Sequence, residues 1–140
     1  MANNPLAFRV EMYGEHLEEA SFLFEQHLGL VDDPELTWRE LRPFEDRLEA
    51  HLDALVVGGD IARSVCRRRA AEGDPGELRA AVSVFCRTAA KDELLEAVAA
   101  LDPQDAERTD AAFEGLRLEL PDAWRGERAA CGRPLQEDAP

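Results

Sequence analysis

Three histidines are the residues of this chain best placed to do chemistry: His16, His27 and His51. A histidine binds metal or moves a proton near neutral pH only when partners stand within reach. His16 and His27 are 11 residues apart. On one helix that is about 16 Å along the axis, too far to share a metal. A metal needs ligands about one turn apart on facing helices. His51 falls on the next element and can meet one of the other two across a hairpin. The plainer reading is that each histidine edges the core and hydrogen-bonds a carboxylate or carbonyl of a neighbouring helix. On that reading no metal and no cofactor is expected.

Other reactive groups give weaker signals. A catalytic carboxylate needs burial and a shifted pKa, whereas the acids here fall on the outer faces of amphipathic segments. No glycine-rich phosphate loop, no G-x-S-x-G and no H-E-x-x-H occurs. Ser21, Ser64 and Ser83 lack a nucleophile context. No catalytic residue is assigned, and the chain reads as non-enzymatic. Cys66, Cys86 and Cys131 are odd in number and widely spaced, which suits neither zinc nor a disulfide framework. The first two sit among apolar residues and read as buried free thiols of a cytoplasmic protein.

Two features point to binding. The run Arg67-Arg68-Arg69, with Arg63 one turn earlier, forms a small basic patch that either contacts an anion or acidic peptide or pairs with the chain's own acids. Phe22 lies about 200° around its helix from Ala20, opposite the apolar stripe. It needs a second neighbour, either another helix of the chain or a surface of a partner or second copy. Phe22, Arg63, Arg67 and Arg68 are the candidate binding residues.

The positioning elements are helices. Leu6, Val10, Tyr13, Leu17, Ala20, Phe24, Leu28 and Val31 advance by three or four residues and make one long stripe. Asp33-Pro34 ends it. Trp38, Leu41, Phe44, Leu48, Leu52 and Leu55 make a second stripe. Pro43 is expected to separate a short first turn from the main helix. Gly58-Gly59 stops it, with Asp60 placed to cap the next helix, which turns Ile61, Val65 and Cys66 inward. Asp74-Pro75-Gly76-Glu77 spells a capping box before a fourth helix with Leu78, Ala81, Val82, Phe85 and Ala89. A fifth helix from Asp92 to Leu101 is expected to bury Leu94, Leu95, Val98 and Leu101. Asp102-Pro103-Gln104-Asp105 repeats the cap chemistry, and a sixth helix is expected to bury Ala112, Phe113 and Leu116. A short helix around Trp124 follows.

The segments DPGELRAAVSVF (74–85) and DPQDAERTDAAF (102–113) begin and end alike. A period of about 30 residues with two helices per unit is the form of a HEAT-like array.

The chain's 140 residues suit a single domain, and its net charge of −14 comes from 30 acidic and 16 basic residues. That balance opposes nucleic-acid backbones and anionic membranes. It is compatible with protein partners, although acidity mainly serves solubility. The N-terminus lacks the pattern of a signal peptide. No apolar run approaches the roughly 20 residues that cross a bilayer.

Two stretches carry a resemblance. Tyr13 to Leu23 contains the pattern E-H-x-E-E-A-x-F-L, and Arg47 to Leu55 reads R-L-x-A-H-L-D-x-L. Together they resemble an uncharacterised bacterial family whose remaining chain is built of HEAT-like helical repeats. The resemblance implies an adaptor associated with type VI secretion and carries no catalytic residues. It also implies longer relatives, of which this chain is a short form or the front portion.

The expectation is therefore an all-α fold of antiparallel helical hairpins, a short HEAT-like α-solenoid. Residues 1–58 form an N-terminal hairpin, 60–131 the HEAT-like helices and 132–140 a frayed tail. The expected role is a non-catalytic protein-interaction scaffold, self-associating or bound to another protein. The alternative is a metal-binding or enzymatic helical protein using the histidines of the first hairpin.

Overall fold

The computed structural model describes residues 4–125. Six helices make it up: α1 (Pro5–Val31), α2 (Trp38–Val57), α3 (Gly59–Glu72), α4 (Pro75–Arg87), α5 (Lys91–Ala99) and α6 (Ala106–Glu119). A further helical turn occupies 122–125, and no strand occurs among the described residues. None of the described helices is long and apolar enough to cross a membrane. The tail expected at 132–140, and Cys131, lie outside the described residues.

Asn4 starts α1 by accepting hydrogen bonds from the Leu6 and Ala7 amides, with Pro5 at the first helical position. The stripe of α1 is buried at Tyr13, Leu17, Ala20 and Phe24, but Leu6, Leu28 and Val31 are exposed. The cause is length. α1 has 27 residues against 13 in α4, so α4 cannot cover its whole length. Thr37 and Glu40 form a capping box for α2. Pro43 lies inside α2 and does not divide it. It removes one amide and frees the carbonyl of Arg39; both residues are exposed, so water can serve that carbonyl.

Asp60 is not the cap of α3. α3 starts at Gly59, whose φ is +62°, without a side-chain cap, and Asp60 instead pairs with Arg63 in the first turn. Gly58 packs beside Tyr13, where an added Cβ would lie 2.6 Å from the ring. The Gly-Gly pair therefore serves close packing and a left-handed turn between two abutting helices.

The capping box at Asp74 and Glu77, with Pro75 first in α4, forms as read. α4 then departs from expectation. Gly76 through Cys86 are all buried, and α4 packs against α1, α2, α3, α5 and α6. Its Ala80, Ala81, Ser83 and flanking valines let neighbours approach on every side, which is the signature of a helix buried all round. The α1–α2 hairpin forms, α3 pairs with α4, and α6 lies alongside α4 while α5 touches α3. In a row of hairpins each unit meets only its neighbours; here α4 is a hub for all the others. Leu17, Leu23, Leu52 and Leu55 fill the core together with its own Leu78 and Phe85.

The cap of α6 sits three residues later than its sequence twin. Asp105 accepts from the Arg108 amide, and Asp102 accepts from Gln104. Arg108 itself reaches back to the carbonyls of Ala70 and Gly73 at the end of α3.

Candidate functional site

The candidate binding residues do not form one site. Phe22 is 53% exposed on α1. Arg68 is exposed on α3. Arg63 and Arg67 share a shallow depression with Ser64 and Glu93, but both hold partners: Arg63 pairs with Asp60, and Arg67 binds Glu96 of α5 at 2.8 Å. Arg69 bridges Glu77 at 2.9 Å and Glu18 at 3.2 Å. Most of the basic run thus ties α3 to α1, α4 and α5.

The histidines separate into two contacts. His16 and His51 meet across the α1–α2 hairpin, Nδ1 to Nδ1, at 3.0 Å. Their ring centroids are 5.3 Å apart, farther than the nitrogens by one ring width, so the rings meet edge-on along one line. That is the geometry of an N–H···N hydrogen bond between rings of opposite tautomer. Two ligands of a tetrahedral metal would instead converge at an angle. Burial lowers the pKa of His51; the neighbouring His16 and Arg47 lower it further, and Glu19 opposes them. His27 hydrogen-bonds Glu45 at 3.1 Å and stacks on Phe44. Among the described residues no three histidine, cysteine or acidic side chains are grouped to hold a metal.

Between α1, α2, α4 and α6 lies a small cleft of about 280 Å³ with Glu45, Asp46, Glu49 and Glu119 on its walls. Arg79 lies in it, 9% exposed, with its guanidinium 4.2 Å from the Phe24 ring centroid. Burial lowers its pKa, countered by Glu114. Arg87 closes the neighbouring end of α4, bound to Glu49 at 2.8 Å and Glu119 at 2.7 Å. These pairs cross-brace α2, α4 and α6.

A larger concavity lies elsewhere. α5 and α6 both pack on α4 but diverge from each other, leaving an open groove of about 820 Å³. Leu94, Leu95, Val98, Phe113, Leu116 and Trp124 line it. Leu95 is 56% exposed and Phe113 57%, which corrects the expectation that both are core. The reason is the small-residue face of α6. Ala112 and Gly115 seat it on α4, with a Gly115 Cβ only 2.9 Å from Val82 Cγ1. Phe113 is turned about 100° from Ala112, away from that contact. On α5, Leu94 takes the buried position and Leu95, one residue on, faces the groove. The adjacent leucine pair and the Ala112–Gly115 spacing were the sequence signals for this surface.

The chain finds no match among protein-family models, curated proteins or solved structures.

Proposed function

We propose that this protein is a non-catalytic interaction module that docks a partner protein in the α5–α6 groove. The carrying observation is the exposure of Leu95 and Phe113 on the wall of a large apolar groove. Contiguous apolar surface of this kind marks interaction sites. The resemblance at Tyr13–Leu23 and Arg47–Leu55 supports an adaptor role beside type VI secretion, and the likeness of segments 74–85 and 102–113 supports the HEAT-like description of the second half. Affinity capture from the native host, comparing the wild-type chain with Leu95→Asp, tests the reading. A partner held by the first and lost by the second is expected; an unchanged set of captured proteins refutes it.

The alternative role, metal binding at the first hairpin, has against it the nitrogen-to-nitrogen geometry of the His16–His51 contact. Equilibrium dialysis against Zn²⁺ decides it, since stoichiometric uptake abolished by His51→Gln would favour that role.

A further inference from the structure

The geometry points to an acidic amphipathic helix of another protein as the occupant of the α5–α6 groove, an inference that rests on the docking role just proposed. The groove's charge is the reverse of the molecule's. The chain carries 30 acidic residues and a net charge of −14, yet no carboxylate lines this groove among the described residues. Its charged lining is Lys91, Arg117 and Arg125. Lys91 opens α5, Arg117 sits in the last turn of α6, and Arg125 lies in the helical turn that follows.

Shape agrees with charge. α5 spans nine residues, about 14 Å at 1.5 Å per residue, which accommodates two to three turns of a docked helix. Leucines or similar residues at i, i+3, i+4 and i+7 would lie on Leu95, Val98 and Phe113, as in other helix-in-groove complexes. Acidic residues flanking that stripe would meet the arginines. Arg117 now pairs with Glu114 at 2.9 Å, and Arg125 approaches Asp122 at 3.9 Å. Both are exposed i, i+3 pairs, worth well under about 1 kcal/mol, so an incoming carboxylate can compete for them. A basic helix would meet no carboxylate among the described residues lining the groove, although the rest of the surface would attract it. The chain's own residues 126–140 hold one leucine, Leu135, between Pro134 and Gln136, with glycines at 126 and 132. They supply no such stripe.

The test uses the full chain and two fluorescent peptides with the same leucine pattern, one carrying glutamates and one lysines. Fluorescence anisotropy should show the glutamate peptide binding tighter by about tenfold or more, an advantage that shrinks with salt. Leu95→Asp should abolish binding. Arg117→Glu should erase the preference; this side chain is exposed and pairs within its own helix with Glu114, so the fold is retained, as circular dichroism would verify. Equal affinities, or a preference for the lysine peptide, overturn the acidic partner while leaving the docking role intact. Binding untouched by Leu95→Asp overturns the groove as the site. A dimer in sedimentation that Leu95→Asp dissolves assigns the groove to a second copy and overturns the inference. Absence of binding by either peptide also overturns it, and the host capture experiment then judges the docking role separately.

Discussion

A methyl group at Gly76 would have nowhere to go. Built on the backbone, its Cβ lies 2.2 Å from Ser21 Oγ and 2.9 Å from Ser21 Cα. The hydroxyl can rotate, but it donates a 2.7 Å hydrogen bond to Asp74 Oδ1, the same oxygen that caps α4. Losing a bond to a charged group costs about 1.5–3 kcal/mol. Rotation does not relieve the contact with Cα, so α1 and α4 must part, an overpacking cost of about 1–3 kcal/mol. Alanine returns at most about 1 kcal/mol of helix propensity, and less at the second helical position. The net expectation for Gly76→Ala is a loss of about 2–4 kcal/mol. For a chain of this size that lowers Tm by roughly 10 °C. Urea unfolding followed by far-ultraviolet circular dichroism measures it, with the m-value unchanged if only stability moves. Gly29 is the control: it too lies in a helix, but nothing stands within 4 Å of its Cβ position, so Gly29→Ala should hold or gain up to about 1 kcal/mol. A Gly76→Ala protein as stable as wild type would refute the close α1–α4 packing on which the hub arrangement rests.

Two further outcomes follow from titrating groups. His51 has its pKa held below the ordinary 6.5 by burial and by His16, so below pH 6.5 the unfolded chain takes up a proton that the folded chain resists. Stability is therefore complete above that pH and falls as pH drops from 6.5 toward the folded value. The urea midpoint should fall between pH 7.5 and 5.5 in wild type and fall less in His51→Gln; equal slopes would show that the pair does not control the response. Burial pushes the Cys66 thiol up to about 12 and the Cys86 thiol up to about 11. Iodoacetamide at neutral pH should leave both unmodified in native protein and label both in urea, as peptide mapping would show. Rapid native labelling of Cys66 would contradict its place in the core.

Local signals in the sequence carried well where the chemistry is local. The Asp74–Pro75–Glu77 cap needs only three residues to agree, and it forms. His51 faces α1 because Leu48, Leu52 and Leu55 fix the buried side of α2, which brings it to His16. Position within the whole was harder to read. The periodicity of Leu78, Ala81, Val82 and Phe85 describes one buried face, but Ala80, Val84 and Cys86 bury the other, and only the arrival of α1, α2 and α6 explains why. Asp60 has the right type for a cap, yet the left-handed Gly59 starts the helix before it. Leu95 and Phe113 carry a core composition, but their exposure depends on how far α5 and α6 splay, a distance no window of sequence encodes. Arg63 and Arg67 read more readily as internal pairs than as ligand contacts, and their partners are Asp60 and, on a different helix, Glu96.

A helix enclosed on every side by the rest of the chain cannot itself melt while its surroundings stay intact. Amide hydrogens along α4 should exchange with solvent only when the whole molecule opens, and the barrier measured there should equal the global one. The fragment ending at residue 58 would lack its lining partner and is expected to behave as a fluctuating coil. Damage to the faces turned toward this central rod is then felt everywhere, whereas the groove-facing side chains of α5 and α6, Leu95 and Phe113 among them, can vary without disturbing the molecule's integrity.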